Sequence, residues 1–220
     1  MHFGFSYVGL IFLLMLFVPN FFWTKNKPKD YERYAGNENR VLLALERAGE
    51  AAVSCLVLIF RDFDPQGWEP RLLWLGAALL LMGLYEFFWI RYFRSGKTMK
   101  DFYRGVLGIP VAGATLPVLA VLCLAAYGRN PLLFGAGIVL GIGHVGIHLA
   151  HRREAEEALP AYDPEREKPV VRASVCTPEQ AAGFRDRETG AFREVLLIRT
   201  PEDLDRFRKA YGLDHVDVEY

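Results

Sequence analysis

The chain has little cysteine, no net charge and none of the short motifs that mark common soluble enzymes. Cys55, Cys123 and Cys176 are the three cysteines in 220 residues, and they form no CxxC or Cys/His zinc spacing. A disulfide framework and a zinc-finger module are therefore excluded as organising devices. No Walker sequence and no Gly-x-Ser-x-Gly elbow occurs, so neither a P-loop nucleotide site nor an α/β-hydrolase nucleophile is readable. There is no defensible internal repeat. Lys plus Arg (26) balances Asp plus Glu (26), and nucleic acid is not an expected partner. The first apolar run has no Lys or Arg ahead of it and no clear small-residue cleavage site after it, so it is expected to stay as a span rather than be removed.

What the chain does have is apolar length, unevenly distributed. Residues 1–150 hold long apolar runs, whereas 151–220 are highly charged. The runs 2–23, 71–93, 106–127 and 131–150 approach or exceed the roughly 20 apolar residues that cross a bilayer. A further run, 41–60, is interrupted only by Glu46, Arg47 and Glu50. Short cytoplasmic loops are enriched in Lys and Arg. Segment 24–40 carries Lys25, Lys27, Lys29, Arg33 and Arg40, and segment 91–105 carries Arg91, Arg94, Lys97, Lys100 and Arg104. Segments 61–71 and 128–130 carry only Arg61, Arg71 and Arg129. Five spans place both basic segments and the tail inside, whereas four would put 91–105 outside. The expected fold class is thus an all-α transmembrane bundle of five spans over 1–150, N-terminus outside. A charged, proline-containing linker over 151–168 and a small α+β cytoplasmic domain over 169–220 follow. Trp23, Trp68, Trp74 and Trp89 fall near span ends, where interfacial aromatics belong. Segment 91–105 reads as a solvated loop, with a short basic helix along the inner surface as the alternative.

The tail alternates strand and helix signals. Residues 169–176 read as a strand by their β-branched content. Thr177-Pro178-Glu179-Gln180 has the form of a helix start, and 191–199 reads as a second strand. Thr200-Pro201-Glu202-Asp203 repeats the start signal, and the helix it opens ends at Gly212 with Leu204, Phe207 and Tyr211 on one face. Cys176 reads as a small buried residue closing a strand.

The chemistry-bearing stretch is "GIGHVGIHLAHRR", residues 141–153. His144, His148 and His151 are spaced four and then three, and share a helix face with Gly141 and Gly137. At about 1.5 Å of rise per residue, His144, Glu86 and Glu46 fall roughly 8–9 Å from the inner ends of their spans, and Glu50 somewhat deeper. A buried polar network of Glu46, Glu50, Glu86, His144 and His148 follows. Ionisable groups within spans are functional candidates by default, because exposing them to lipid is costly. Imidazole and carboxylate together suit zinc or iron, which makes His144, His148, Glu86 and Glu46 the candidate metal ligands.

The stretches "GFSYVGLIFLLMLFVPNFFWTKNKP", "RYFRSGKTMKDFYRGVLGIPVAGATLPV" and "GIGHVGIHLAHRRE" resemble a family of bacterial multi-pass membrane proteins of unknown function. Residues 170–213 are similar to small free-standing bacterial proteins, also of unknown function. The resemblance implies a two-part chain of the bacterial inner membrane and carries over no activity. The expected function is a non-enzymatic regulatory or scaffolding role, with a cytoplasmic protein partner for the tail and the possibility of a homo-oligomer. The alternatives are a membrane-embedded metal site or metal-dependent enzyme and, third, proton-linked transport of a small solute. Single cysteines introduced near residues 66 and 129 should be labelled by an impermeant reagent from outside. Labelling at 66 only from the cytoplasm would end the five-span arrangement.

Overall fold

The computed structural model describes residues 1–31, 34, 36, 38–160, 162–173 and 180–219. The chain divides into two compact units, 1–156 and 157–220. The first contains α1 (Tyr7–Thr24), α2 (Arg40–Ile59), α3 (Leu72–Phe93), the short α4 (Met99–Tyr103), α5 (Ala112–Tyr127) and α6 (Pro131–Glu157). Among the described residues, α1, α3 and α6 are long and apolar enough to cross a membrane, and α5 is a shorter apolar helix. The charges of α2 keep it outside that group. Such a set of helices fits a membrane protein.

Local chemistry sets the helix ends. The Ser6 hydroxyl accepts from the Gly9 amide at the start of α1, and Asn39 accepts from Val41 and Leu42 at the start of α2. Asn130 accepts from the Leu133 amide at the start of α6. Each side chain satisfies donors that the first helical turn leaves open. Residues 2–6 run antiparallel to 58–61, with Gly4 and Ser6 amides donating to the Ile59 and Leu58 carbonyls. Asp64 accepts from the Ser6 hydroxyl (2.8 Å) and the Val8 amide (3.1 Å), and so ties α1 to the turn after α2. Asp62 accepts from the backbone and ring of His2. Burial alone would raise the Asp62 carboxyl, but these hydrogen bonds outweigh it and hold it below the ordinary carboxylate range.

The long helices alternate in direction. The start of α1 meets the end of α2, while Asn20 and the Asn26 carbonyl near the end of α1 meet Tyr85 and Tyr92 of α3. Arg71, at the start of α3, reaches the Tyr127 carbonyl at the end of α5. A close backbone approach joins α2 to α6. A Cβ on Gly143 would lie 2.3 Å from the Glu46 amide nitrogen, and one on Gly49 would lie 2.5 Å from the Leu140 Cα. Gly137 and Gly141, on the histidine stripe, face side chains of α5, Leu122 and Val118.

Three further expectations are corrected. The span placed at 106–127 begins as a helix only at Ala112, because Pro110 and a turn with Leu107, Gly108 and Val111 at positive φ precede it. Trp89 is not an interfacial residue: it is 4% exposed and packs against Tyr85, Phe88, Tyr92 and Phe102. Segment 91–105 is neither a solvated loop nor a surface helix. A capping box between Thr98 and Asp101 nucleates α4, which buries Met99, Phe102 and Tyr103 in the end of the bundle.

The second unit is a four-stranded sheet with one helix. Strands β1 (Glu167–Ala173), β2 (Gln180–Asp186), β3 (Phe192–Ile198) and β4 (Asp217–Glu219) lie in the order β3-β2-β1-β4, with α7 (Pro201–Tyr211) between β3 and β4. All pairs are antiparallel except β1 with β4. Phe184, Phe207 and Val171 centre the core, and Leu159 and Tyr162, from the stretch expected to be linker, pack into it. The helix start at Thr200 holds, with Pro201 in the first turn and Gly212 left-handed at the end. The start read at 177–180 does not lead into a helix, since Gln180 opens β2. Cys176 and Thr177 lie outside the described residues.

Because the Gly143 contact is backbone against backbone, Gly143→Ala is expected to cost about 1–3 kcal/mol by overpacking. Gly135→Ala should be neutral or slightly stabilising, since nothing lies within 4 Å of a Cβ there. Thermal unfolding in detergent compares them, and equal stability of the two variants would contradict the close approach of α2 and α6.

Candidate metal centre in the helical bundle

The close approach at Gly143 has a chemical consequence one residue further on. His144 Nδ1 hydrogen-bonds Glu46 Oε1 at 2.5 Å. One turn on, His148 Nδ1 meets the Tyr103 hydroxyl at 3.0 Å. The two imidazoles lie edge to face, with ring centroids 4.6 Å apart. Glu46, His144 and His148 each offer a ligand atom within 4.8 Å of the others, and all three are half-buried. Further along α6, His151 is buried and faces Glu38 at 3.7 Å.

The nitrogens that remain matter most. In each of His144 and His148 it is Nδ1 that is engaged. Their Nε2 atoms are not among the sealed nitrogens without partners, as that of His151 is. Glu46, Tyr103, His144 and His148 all line a cavity of about 530 Å³. A carboxylate on Nδ1 fixes an imidazole as the Nδ1–H tautomer and turns its Nε2 lone pair outward, as behind many metal ligands. Burial pushes the Tyr103 hydroxyl well above the ordinary tyrosine range, so it stays protonated and uncharged. Its oxygen can accept from His148 Nδ1–H, which leaves the second Nε2 lone pair free as well.

The sequence-predicted groups separate into three sets. Glu46, His144 and His148 come together. Glu50 lines the same cavity but is exposed, away from the two rings' hydrogen bonds. Glu86 does not join: it is not among the lining residues, and its Oε1 is sealed without a hydrogen bond. The cause is the rotation of α3, which turns Tyr85, Phe88, Trp89 and Tyr92 into the core and leaves Glu86 on the flank. Matching depth brought Glu86 into the expected set, but depth does not report which way a helix faces. Two contributors were missed, Tyr103 and Glu38, because both lie outside the long helices. The Thr98-x-x-Asp101 pattern was the available signal for α4, being a helix-start pattern inside a presumed loop.

Two imidazoles and one carboxylate form a borderline ligand set that suits zinc or iron better than the softer copper(I) or the harder magnesium. Ligands of one such ion, each about 2.0–2.2 Å from it, lie no more than roughly 4.4 Å apart. The ligand atoms of the three residues already lie within 4.8 Å of one another, close to that limit. Glu46 completes the set by turning its carboxylate from Nδ1 to the ion. No family model, curated protein or solved structure matches this chain.

Tyr103→Phe removes one neutral hydrogen bond and should cost about 1 kcal/mol. In nitrogen NMR of labelled histidines, His148 should move more than His144. A larger response at His144 would contradict the assigned pairing.

Proposed function

We propose that this chain is an integral protein of the bacterial inner membrane whose functional centre is a divalent zinc or iron ion held by His144, His148 and Glu46. The observation that carries the reading is the convergence of three ligand groups, from two helices, on one ligand-sized cavity that all three residues line. Three protein ligands leave a further coordination position for water or substrate, the arrangement of catalytic rather than purely structural sites. In such a centre the ion polarises an oxygen or lowers the pKa of bound water.

The reading includes five spans, with 24–40, 91–105 and the tail inside. Its support is the alternating direction of α1, α2, α3, α5 and α6 together with the Lys and Arg distribution. The charges that weaken α2 as a lipid-facing span are consistent with it, since Glu46 turns to His144 rather than outward. A regulatory or scaffolding role is the second reading. It is favoured by the separate C-terminal sheet, in which β3, seven residues long, has a strand on only one side among the described residues. An open strand edge of that kind can accept a partner's strand.

Elemental analysis of purified protein should find zinc or iron in stoichiometric amount. His144→Phe and His148→Phe should each reduce it to background while helical content is retained, because imidazole is a ligand and phenyl is not. Background metal in the unaltered protein, with no uptake on titration, would reject the metal reading.

A further inference from the structure

The walls of the cavity carry a second message. They are mostly apolar, formed by Leu16, Phe17, Leu43, Val53, Pro117 and Val121, and the polar cluster occupies one place in them. Among the described residues, four both line the cavity and are exposed: Phe17 and Asn20 on α1, Arg47 and Glu50 on α2. The mouth therefore lies between these two helices. They cross tightly at their other ends, where a Cβ on Gly9 would meet the Val57 carbonyl oxygen at 1.8 Å, and Leu16 of α1 and Leu43 of α2 both line the cavity. Among the described residues, α4 covers the end of the bundle with Met99 (1% exposed), Phe102 (9%) and Tyr103 (7%), all buried.

We propose that the cavity is entered sideways from the lipid and holds a single-chain amphiphile. Its oxygen-bearing head sits at the Glu46–His144–His148 centre and its chain lies along the apolar wall. The head assignment rests on the proposed metal centre; the lateral entrance rests on the cavity alone. A gap between two membrane-crossing helices opens onto acyl chains rather than water, so the molecules that reach it are already dissolved in the membrane. An ion with a vacant position takes an oxygen donor, which a fatty carboxylate or an acyl ester carbonyl supplies. Arg47 and Glu50 both stand at the mouth, so its charge is balanced and the head is selected at the centre. A cavity of this size is in the range that encloses most of a small ligand's surface.

Trp23 and Trp89 line the cavity, whereas Trp68 and Trp74 are exposed elsewhere on the first unit. A Trp68→Phe, Trp74→Phe variant of the full chain in detergent thus reports on the cavity by fluorescence. Dibromostearate and its methyl ester, both quenchers, are the probes. The expected result is saturable single-site quenching that unbrominated stearate reverses. A stronger response to the acid than to the ester identifies a carboxylate head, and the reverse order an ester. Ser54→Phe, which adds bulk to the wall, should weaken the response by about tenfold, or about 1.4 kcal/mol, with metal content unchanged. Quenching that rises linearly and resists competition by stearate would overturn the proposal, even in protein that carries its metal. Saturable quenching in protein without metal would keep the amphiphile site while the metal reading fell.

Discussion

At Gly143 the backbones of α6 and α2 are so close that a single methyl group would press on the Glu46 amide at 2.3 Å. Gly49 makes the reciprocal contact with Leu140. Small residues allow this approach, and within a bilayer it is dispersion and geometry rather than hydrophobic burial that hold helices together. The contact also sets the chemistry. With Gly143 fixed against Glu46, the next side chain, His144, meets the Glu46 carboxylate, and His148 follows one turn later beneath α4.

The polar groups gathered there are expensive to keep in an apolar bundle unless each is partnered. Glu46 answers His144, Tyr103 answers His148, and Glu38 stands opposite His151. What these pairings leave over is the second nitrogen of each of two neighbouring rings, and both residues line the cavity. A metal ligand set needs such nitrogens. The aromatic plug of α4 matters for the same reason, since it orients His148 and closes one end of the cavity at once.

Much of this was legible in the residues. Apolar run length marks α1, α3 and α6, because crossing a bilayer demands continuous apolar surface. The four-residue spacing of His144 and His148 puts them on one face whatever the tertiary fold, and Glu46 was reachable by depth. The C-terminal strands at 169–173 and 192–198 and the helix from Thr200 to Gly212 follow from β-branched content and capping chemistry, both local properties. Other features depend on how helices are rotated about their axes, which no single helix's sequence contains. Glu86 and Trp89 are three residues apart on α3. One was expected in the site and lies on the flank, and the other was expected at the interface and lies in the core. Tyr103 was missed because a segment rich in Lys and Arg reads as solvated, although Met99, Phe102 and Tyr103 together give it an apolar face worth burying. Gly143 was overlooked because Gly137 and Gly141 matched the histidine stripe, while the backbone contact with α2 fell one residue to its side.

The central claim concerns what the two open imidazole nitrogens hold. X-ray absorption at the zinc or iron edge of the purified protein tests it most directly. The account requires nitrogen and oxygen neighbours at about 2.0–2.2 Å, with the outer-shell scattering of two imidazole rings, reduced to one ring in His148→Phe. Sulfur scattering at about 2.3 Å, or a bound metal with no imidazole signature, would contradict it.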